Sequence, residues 1–152
     1  MSVRLADLTT LRVGGQAADY VEAETSDAVI DAVRTADAAG RDVLILGGGS
    51  NLLVADDDLQ ATVVHLRTRG MELEARDACG GAMVRVAAGE PWDDLVALAV
   101  RSGWVGIEAL SGIPGCTGAT PVQNVGAYGQ EVSQTIASVR TWDRQQHRIR
   151  TL

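Results

Sequence analysis

The chain has 152 residues, 46% of them hydrophobic, enough to form an ordinary globular core as one body or two small lobes. Its net charge is −7, and the 13 basic residues are all arginine, scattered singly apart from a thin cluster over residues 140–150; this argues against the basic stripe that nucleic-acid binding wants. No apolar run approaches the roughly 20 residues that span a bilayer, and residues 1–10 lack a basic stretch followed by an apolar one, so a cytoplasmic protein without membrane contact is expected.

The first expected element is a short strand over residues 20–24. Thr25 and Ser26, followed by Asp27, supply a cap and an acidic first turn for a helix whose Val29, Ile30, Val33 and Ala36 share one face. Gly40 suits a left-handed stop, and residues 43–46 are a continuous apolar run of the length of a buried strand. These form a β-α-β unit with a parallel pair. Residues 62–66 are β-branched and predict a third strand, completing an α/β lobe over residues 8–69.

Beyond Gly70 the period changes. Met71, Leu73 and Ala75 alternate with charged residues, a turn is expected at residues 79–81, and Val84 and Val86 alternate again, which opens a mixed, more antiparallel second lobe over residues 70–152. Pro91 is expected as the first residue of a helix over 91–102, with Trp92, Leu95, Val96 and Ala99 on its apolar face and Gly103 as terminator. Residues 111–129 carry five glycines and two prolines with no helical or strand period, long for a mere connection. Residues 137–143 and 147–152 read as two strands around a polar turn at 144–146. The fold class is therefore α+β, an α/β lobe joined to a mixed or antiparallel one.

Two glycine segments carry the chemistry. Gly47-Gly48-Gly49-Ser50-Asn51 follows a buried strand, where it is either a tight turn or a cradle of amides for a phosphate. It is not a P-loop, because the chain contains no lysine, nor the Gly-x-Gly-x-x-Gly opening of a crossover helix, because the following stretch is short and acidic. The second segment combines backbone donors, hydroxyls and two amides, and its five glycines give more freedom than closing an Ω-type loop requires, which favours a ligand. Charge-assisted hydrogen bonds of about 1.5–3 kcal/mol each outweigh distant surface charge screened beyond about 8 Å, so an acidic chain can hold a pyrophosphate.

Three strings, in order, carry a family resemblance: Thr10-Leu11-Arg12-Val13-Gly14-Gly15, then residues 47–51, then Ile113-Pro114-Gly115 continuing to Pro121-Val122-Gln123-Asn124-Val125-Gly126-Ala127-Tyr128-Gly129. From Leu8 onward the chain resembles the UDP-N-acetylenolpyruvoylglucosamine reductases. The resemblance implies a two-lobed FAD-binding domain of the vanillyl-alcohol-oxidase (PCMH) type, with FAD between the lobes. It implies cofactor contacts from Gly47, Gly48, Gly49, Ser50, Asn51 and Leu52, and from Gly112, Ile113, Pro114, Gly115, Gly118, Ala119, Thr120, Gln123, Asn124, Gly126, Ala127 and Tyr128. The implied reaction passes hydride from NADPH to the flavin and on to the enolpyruvyl group of UDP-N-acetylglucosamine enolpyruvate, in peptidoglycan precursor synthesis. In that family the catalytic serine, acid and substrate-binding groups follow this region, in part in a carboxy-terminal substrate domain that this chain lacks, so no catalytic residue is expected here.

Other residues have plainer readings. Cys79 and Cys116 suggest no disulfide framework; His65 and His147 form no metal cluster; Trp92 and Trp104 suit a core; Glu90, Asp93 and Asp94 suit a helix start. Arg12 either touches a ligand or is a solvated turn residue. Two other functions remain open on the residues alone: a flavin oxidoreductase of the same superfamily with another substrate, and a non-catalytic nucleotide-binding module.

Overall fold

A computed structural model describes residues 3–76 and 81–152. The chain divides into two compact units, Met1–Arg67 with Ala137–Leu152, and Thr68–Ile136.

The first unit is built on a four-stranded sheet. Strand β1 (Val3–Arg4) runs antiparallel to β2 (Gln16–Ala23), and β3 (Asp42–Leu46) and β4 (Leu59–Leu66) complete the order β1-β2-β4-β3. Both β2 and β3 pair with β4 in parallel, so the two strands of the expected β-α-β unit are not neighbours. The run from Ala61 to His65 is wholly buried, the pattern of a strand covered on both faces, and it takes the central place. On one face Val64 packs with Ala23 and Val33; on the other Val63 packs with Leu5, Ala17 and Leu46.

Helix α1 (Ser26–Ala38) begins where the residues dictate: the Thr25 hydroxyl accepts from the Ala28 amide at 3.1 Å. It ends at Gly40, whose φ of 64° lets its amide and that of Arg41 reach back to Asp37 and Ala36 at 3.0 and 2.9 Å. Strand β2 starts four residues earlier than expected, because an Ala-rich stretch with little strand character is held by β1 and β4.

In the second unit β5 (Met71–Arg76) and β6 (Ala82–Val86) form the expected antiparallel hairpin, with Met71 opposite Val86. The turn expected at residues 79–81 falls, but for Gly81, outside the described residues. Helix α2 (Trp92–Ser102) starts one residue later than expected: Pro91 has an extended ψ of 132° and bridges Cys116, so it is the cap and not the first turn. Gly103 closes α2 in the left-handed region at φ 72°. Residues 111–129 are more ordered than their sequence suggests: they contain a 3-10 turn (Thr117–Ala119) and end in a hairpin of β7 (Gly126–Ala127) and β8 (Gln130–Glu131).

The last hairpin, β9 (Arg140–Asp143) and β10 (Arg148–Thr151), groups with the first unit, whereas the sequence places it in the second lobe. Trp142 joins the cluster beneath α1, with the Arg34 guanidinium 5.8 Å from its ring centre. Arg144 grips Asp37 through two nitrogens at 3.2 and 2.5 Å. Such long-range side-chain contacts leave no local signature.

Candidate functional site

In the first unit the strings 10–15 and 47–51 come together. The Thr10 amide donates to the Gly49 carbonyl at 3.0 Å, and Gly49 packs so closely that a Cβ there would lie 1.9 Å from the Leu8 carbonyl oxygen. Gly49 is therefore glycine for a backbone crossing as well as for its φ of 66°. Gly15 meets the following segment in the same way: its amide donates to Ala55 O at 2.8 Å, and a Cβ would lie 2.2 Å from Asp57 O. Asp56 accepts from the Gly14 amide and Asp58 from the Gln16 amide, both at 3.3 Å.

This clasp presents the turn after β3 as a formed feature. Gly48 and Asn51 are exposed, Gly47, Ser50 and Leu52 are half-buried, and Leu52 leans on the Leu5 cluster. Among the described residues no acceptor takes the amides of Gly48 or Asn51. Arg12 is exposed with φ 54°, at the crest of the clasped string, and lines a shallow depression with Arg4, Ala6 and Asp7.

In the second unit Trp92 organises the long glycine segment. Its amide donates to Gly115 O at 3.0 Å, and its indole Nε1 donates to Leu110 O at 2.9 Å, so one buried residue fixes both ends of residues 110–115. Asp93 adds an anchor, accepting from the Gly112 amide at 2.7 Å and the Ser111 hydroxyl at 2.9 Å. The Gly112 amide, then the Ser111 hydroxyl, hold its carboxyl below the ordinary 3.8. A carboxyl depressed on folding adds stability that is complete above its ordinary value and is lost as pH falls through the lower folded value. Acid unfolding followed by circular dichroism is expected to include a contribution below pH 3.8 that Asp93→Asn removes; superimposable curves would discount the anchor.

Several amides that the sequence offers to a ligand serve the loop instead. Those of Gly118, Ala119 and Thr120 donate to Ala88 O, Cys116 O and Thr117 O at 2.8, 3.0 and 3.1 Å. Gly118 is glycine because a Cβ would lie 2.6 Å from that of Ala88. The Asn124 side chain is also engaged, donating to Glu131 at 2.9 Å and accepting from the Ser133 amide at 3.1 Å.

Other groups remain outward. Among the described residues nothing accepts from the amides of Ile113 or Gln123, and a Cβ on Gly112 or Gly129 would meet open space. Tyr128 and Gly129, with φ of 52° and 83°, form the two-residue turn between β7 and β8, and the Tyr128 ring is 94% exposed at its tip. Gly126 is exposed and Ala127 half-buried beside it; Pro114 is exposed, and Cys116 is half-buried. Asp93, Asp56 and Asp58 are the residues sequence reasoning missed. Their sequences read as a helix start and a polar stretch, and only the fold brings the amides they accept within reach.

The fold thus offers two glycine-rich surfaces to a ligand: in the first unit the turn that follows a parallel strand, and in the second a segment buckled down by an indole, the features of a flavin-binding domain. The crystal structure of UDP-N-acetylenolpyruvylglucosamine reductase from Thermus caldophilus superposes with a TM-score of 0.78 at 28% identity, covering 100% of this chain and 51% of that one. Residues 17–151 match the FAD binding domain family, and the chain belongs to it. It is 55% identical over 93% of its length to UDP-N-acetylenolpyruvoylglucosamine reductase of Cutibacterium acnes, and 54% over 97% to that of Saccharopolyspora erythraea. The chain spans 38% and 40% of those two proteins.

FAD is the cofactor that this membership brings, and the residues fit it. The outward amides of Gly48, Asn51, Ile113 and Gln123 are neutral donors suited to phosphate and ring oxygens, and the space beyond Gly112 and Gly129 is clear of protein atoms. No helix of the described residues is long and apolar enough to cross a membrane.

Proposed function

We propose that this chain is the flavin-binding part of a cytoplasmic UDP-N-acetylenolpyruvoylglucosamine reductase, which uses NADPH to reduce the enolpyruvyl group of UDP-N-acetylglucosamine enolpyruvate in peptidoglycan precursor synthesis. The observation that carries this reading is identity of 55% and 54% to two such reductases over more than nine tenths of the chain, both glycine segments included.

Within it, residues 47–52 hold the diphosphate through the amides of Gly48 and Asn51, with Gly47, Gly49, Ser50 and Leu52 shaping the turn. In the second unit Gly112, Ile113, Pro114 and Gly115, together with Gln123, Gly126, Ala127 and Tyr128, contact the cofactor. Gly118, Ala119, Thr120 and Asn124 hold that surface in shape, since their donors are spent inside the loop. Bound FAD supplies the hydride chemistry; the chain supplies binding and orientation. Asp93 and Glu131, the carboxylates bonded to this loop, are committed to hydrogen bonds within the unit.

Titrating the purified chain with FAD tests the reading. The expected result is flavin absorbance retained near one equivalent after gel filtration, with quenching of tryptophan emission. Flavin that separates completely from the protein overturns it.

A further inference from the structure

The clasp of the first unit joins residues 1–15 to residues 47–58. The charged side chains of the one are Arg4, Asp7 and Arg12, and of the other Asp56, Asp57 and Asp58. The glycine turn therefore offers neutral amides to a diphosphate but no cation of its own, and three aspartates follow it. Asp56 and Asp58 accept from the Gly14 and Gln16 amides, which leaves their negative charge in place. A diphosphate is doubly negative at neutral pH, so holding one here calls for a positive group close by.

Arg12 is placed to be that group. Its amide donates to Thr9 O at 3.2 Å, a reverse turn that keeps the two Cα atoms within about 7 Å. The Thr9 Cα lies 3.1 Å from where a Cβ on Gly49 would stand, and the Thr10 amide donates to Gly49 O at 3.0 Å. Thr9 is buried, and its hydroxyl donates to Val13 O at 3.1 Å, so the turn carrying Arg12 is fixed on both sides. The Arg12 side chain is exposed, and among the described residues no carboxylate pairs with it, although Asp7 lines the same depression. At φ 54° the residue occupies backbone that favours glycine or asparagine, a strain that a contact made by its side chain would offset.

Arg4, the other arginine of the depression, stands farther off. It registers with Gln16, and the whole 3-10 turn Leu5–Leu8, roughly 8 Å of rise, separates it from the crossing of Leu8 with Gly49. Family membership assigns neither arginine a role, because the match to the FAD binding domain begins at residue 17.

We propose that Arg12 is a phosphate-binding residue of the FAD site: its guanidinium pairs with the diphosphate that the Gly48 and Asn51 amides hold, and supplies the positive charge that the glycine turn lacks. The inference rests on the flavin reading above and adds to it a side chain outside both glycine segments. A charge-assisted pair of this kind changes affinity about tenfold to hundredfold. Lysine keeps the charge but not the planar fork, and so restores part of it.

Arg12→Gly separates binding from folding, since glycine suits the φ that arginine strains to adopt. Without FAD its thermal unfolding is expected to match that of wild type, while FAD titration shows affinity about tenfold to hundredfold weaker. Arg12→Lys should fall between the two, and Arg4→Gln, which removes the same charge from farther away, should lose no more than about threefold. Raising salt from about 50 to about 500 mM should weaken FAD binding less in Arg12→Gly than in wild type. An affinity within about twofold of wild type in Arg12→Gly, or equal losses in Arg12→Gly and Arg4→Gln, overturns the proposal but leaves the flavin reading standing. Lost affinity together with a lower unfolding temperature before FAD is added gives Arg12 to the fold and overturns it too. No FAD uptake by the wild type overturns the flavin reading itself, and the role of Arg12 with it.

Discussion

Alanine at position 49 is expected to cost about 3 kcal/mol of stability and to abolish flavin retention. The added Cβ would lie 1.9 Å from the Leu8 carbonyl oxygen and 3.1 Å from the Thr9 Cα, and the nearest atoms are backbone, so no side chain can rotate away. The φ of 66° adds left-handed strain that glycine does not feel. The hydrogen bond from the Thr10 amide would part as the strings separate, and with it the turn that presents the Gly48 and Asn51 amides. Thermal unfolding should fall by about 6–12 °C. Gly40→Ala is the matched control: it has a similar φ of 64° and open space around its Cβ position, so it should cost only the backbone strain of about 1 kcal/mol and leave FAD uptake intact. Equal losses at the two positions would show that the crossing with Leu8 does not matter.

The second large effect is expected at Trp92. It is 2% exposed in a cluster with Leu95, Val96, Leu110, Val125 and Val132, so truncation to alanine removes the largest side chain of that core and should cost about 3–5 kcal/mol. Trp92→Phe keeps most of the packing but leaves the buried Leu110 carbonyl without its indole donor, a loss of about 1–3 kcal/mol. Leu110 leads directly into the glycine segment, so Trp92→Phe should also weaken FAD binding, even where the unit stays folded. Urea unfolding by circular dichroism, paired with flavin titration, separates the two effects. Unchanged flavin affinity in Trp92→Phe would confine the indole to packing.

How legible each part was depends on how local its cause is. Helices α1 and α2 could be read because Thr25, Gly40 and Gly103 act within a turn of the residues they cap. The glycine turns could be read because close backbone approach and positive φ admit few other residues. The place of β4 between β2 and β3 could not, since parallel pairing joins residues some forty positions apart by backbone alone. The same holds for β9 and β10, drawn to the first unit by Trp142 and Arg144. Nor could it be read that Gly118, Ala119 and Thr120 spend their amides internally while their neighbours do not.

The strand order β1-β2-β4-β3 also bears on how the chain is made. When the chain has left the ribosome as far as residue 58, β2 can pair with the short β1, yet neither β2 nor β3 has its parallel partner, because the strand that joins them is still to come. The parallel part of the sheet therefore waits for Leu66, and the unit gains its last hairpin only after residues 68–136 have been synthesised. The nascent chain thus carries unpaired strand edges through much of its synthesis, the condition in which a slow, non-local fold is most exposed to aggregation.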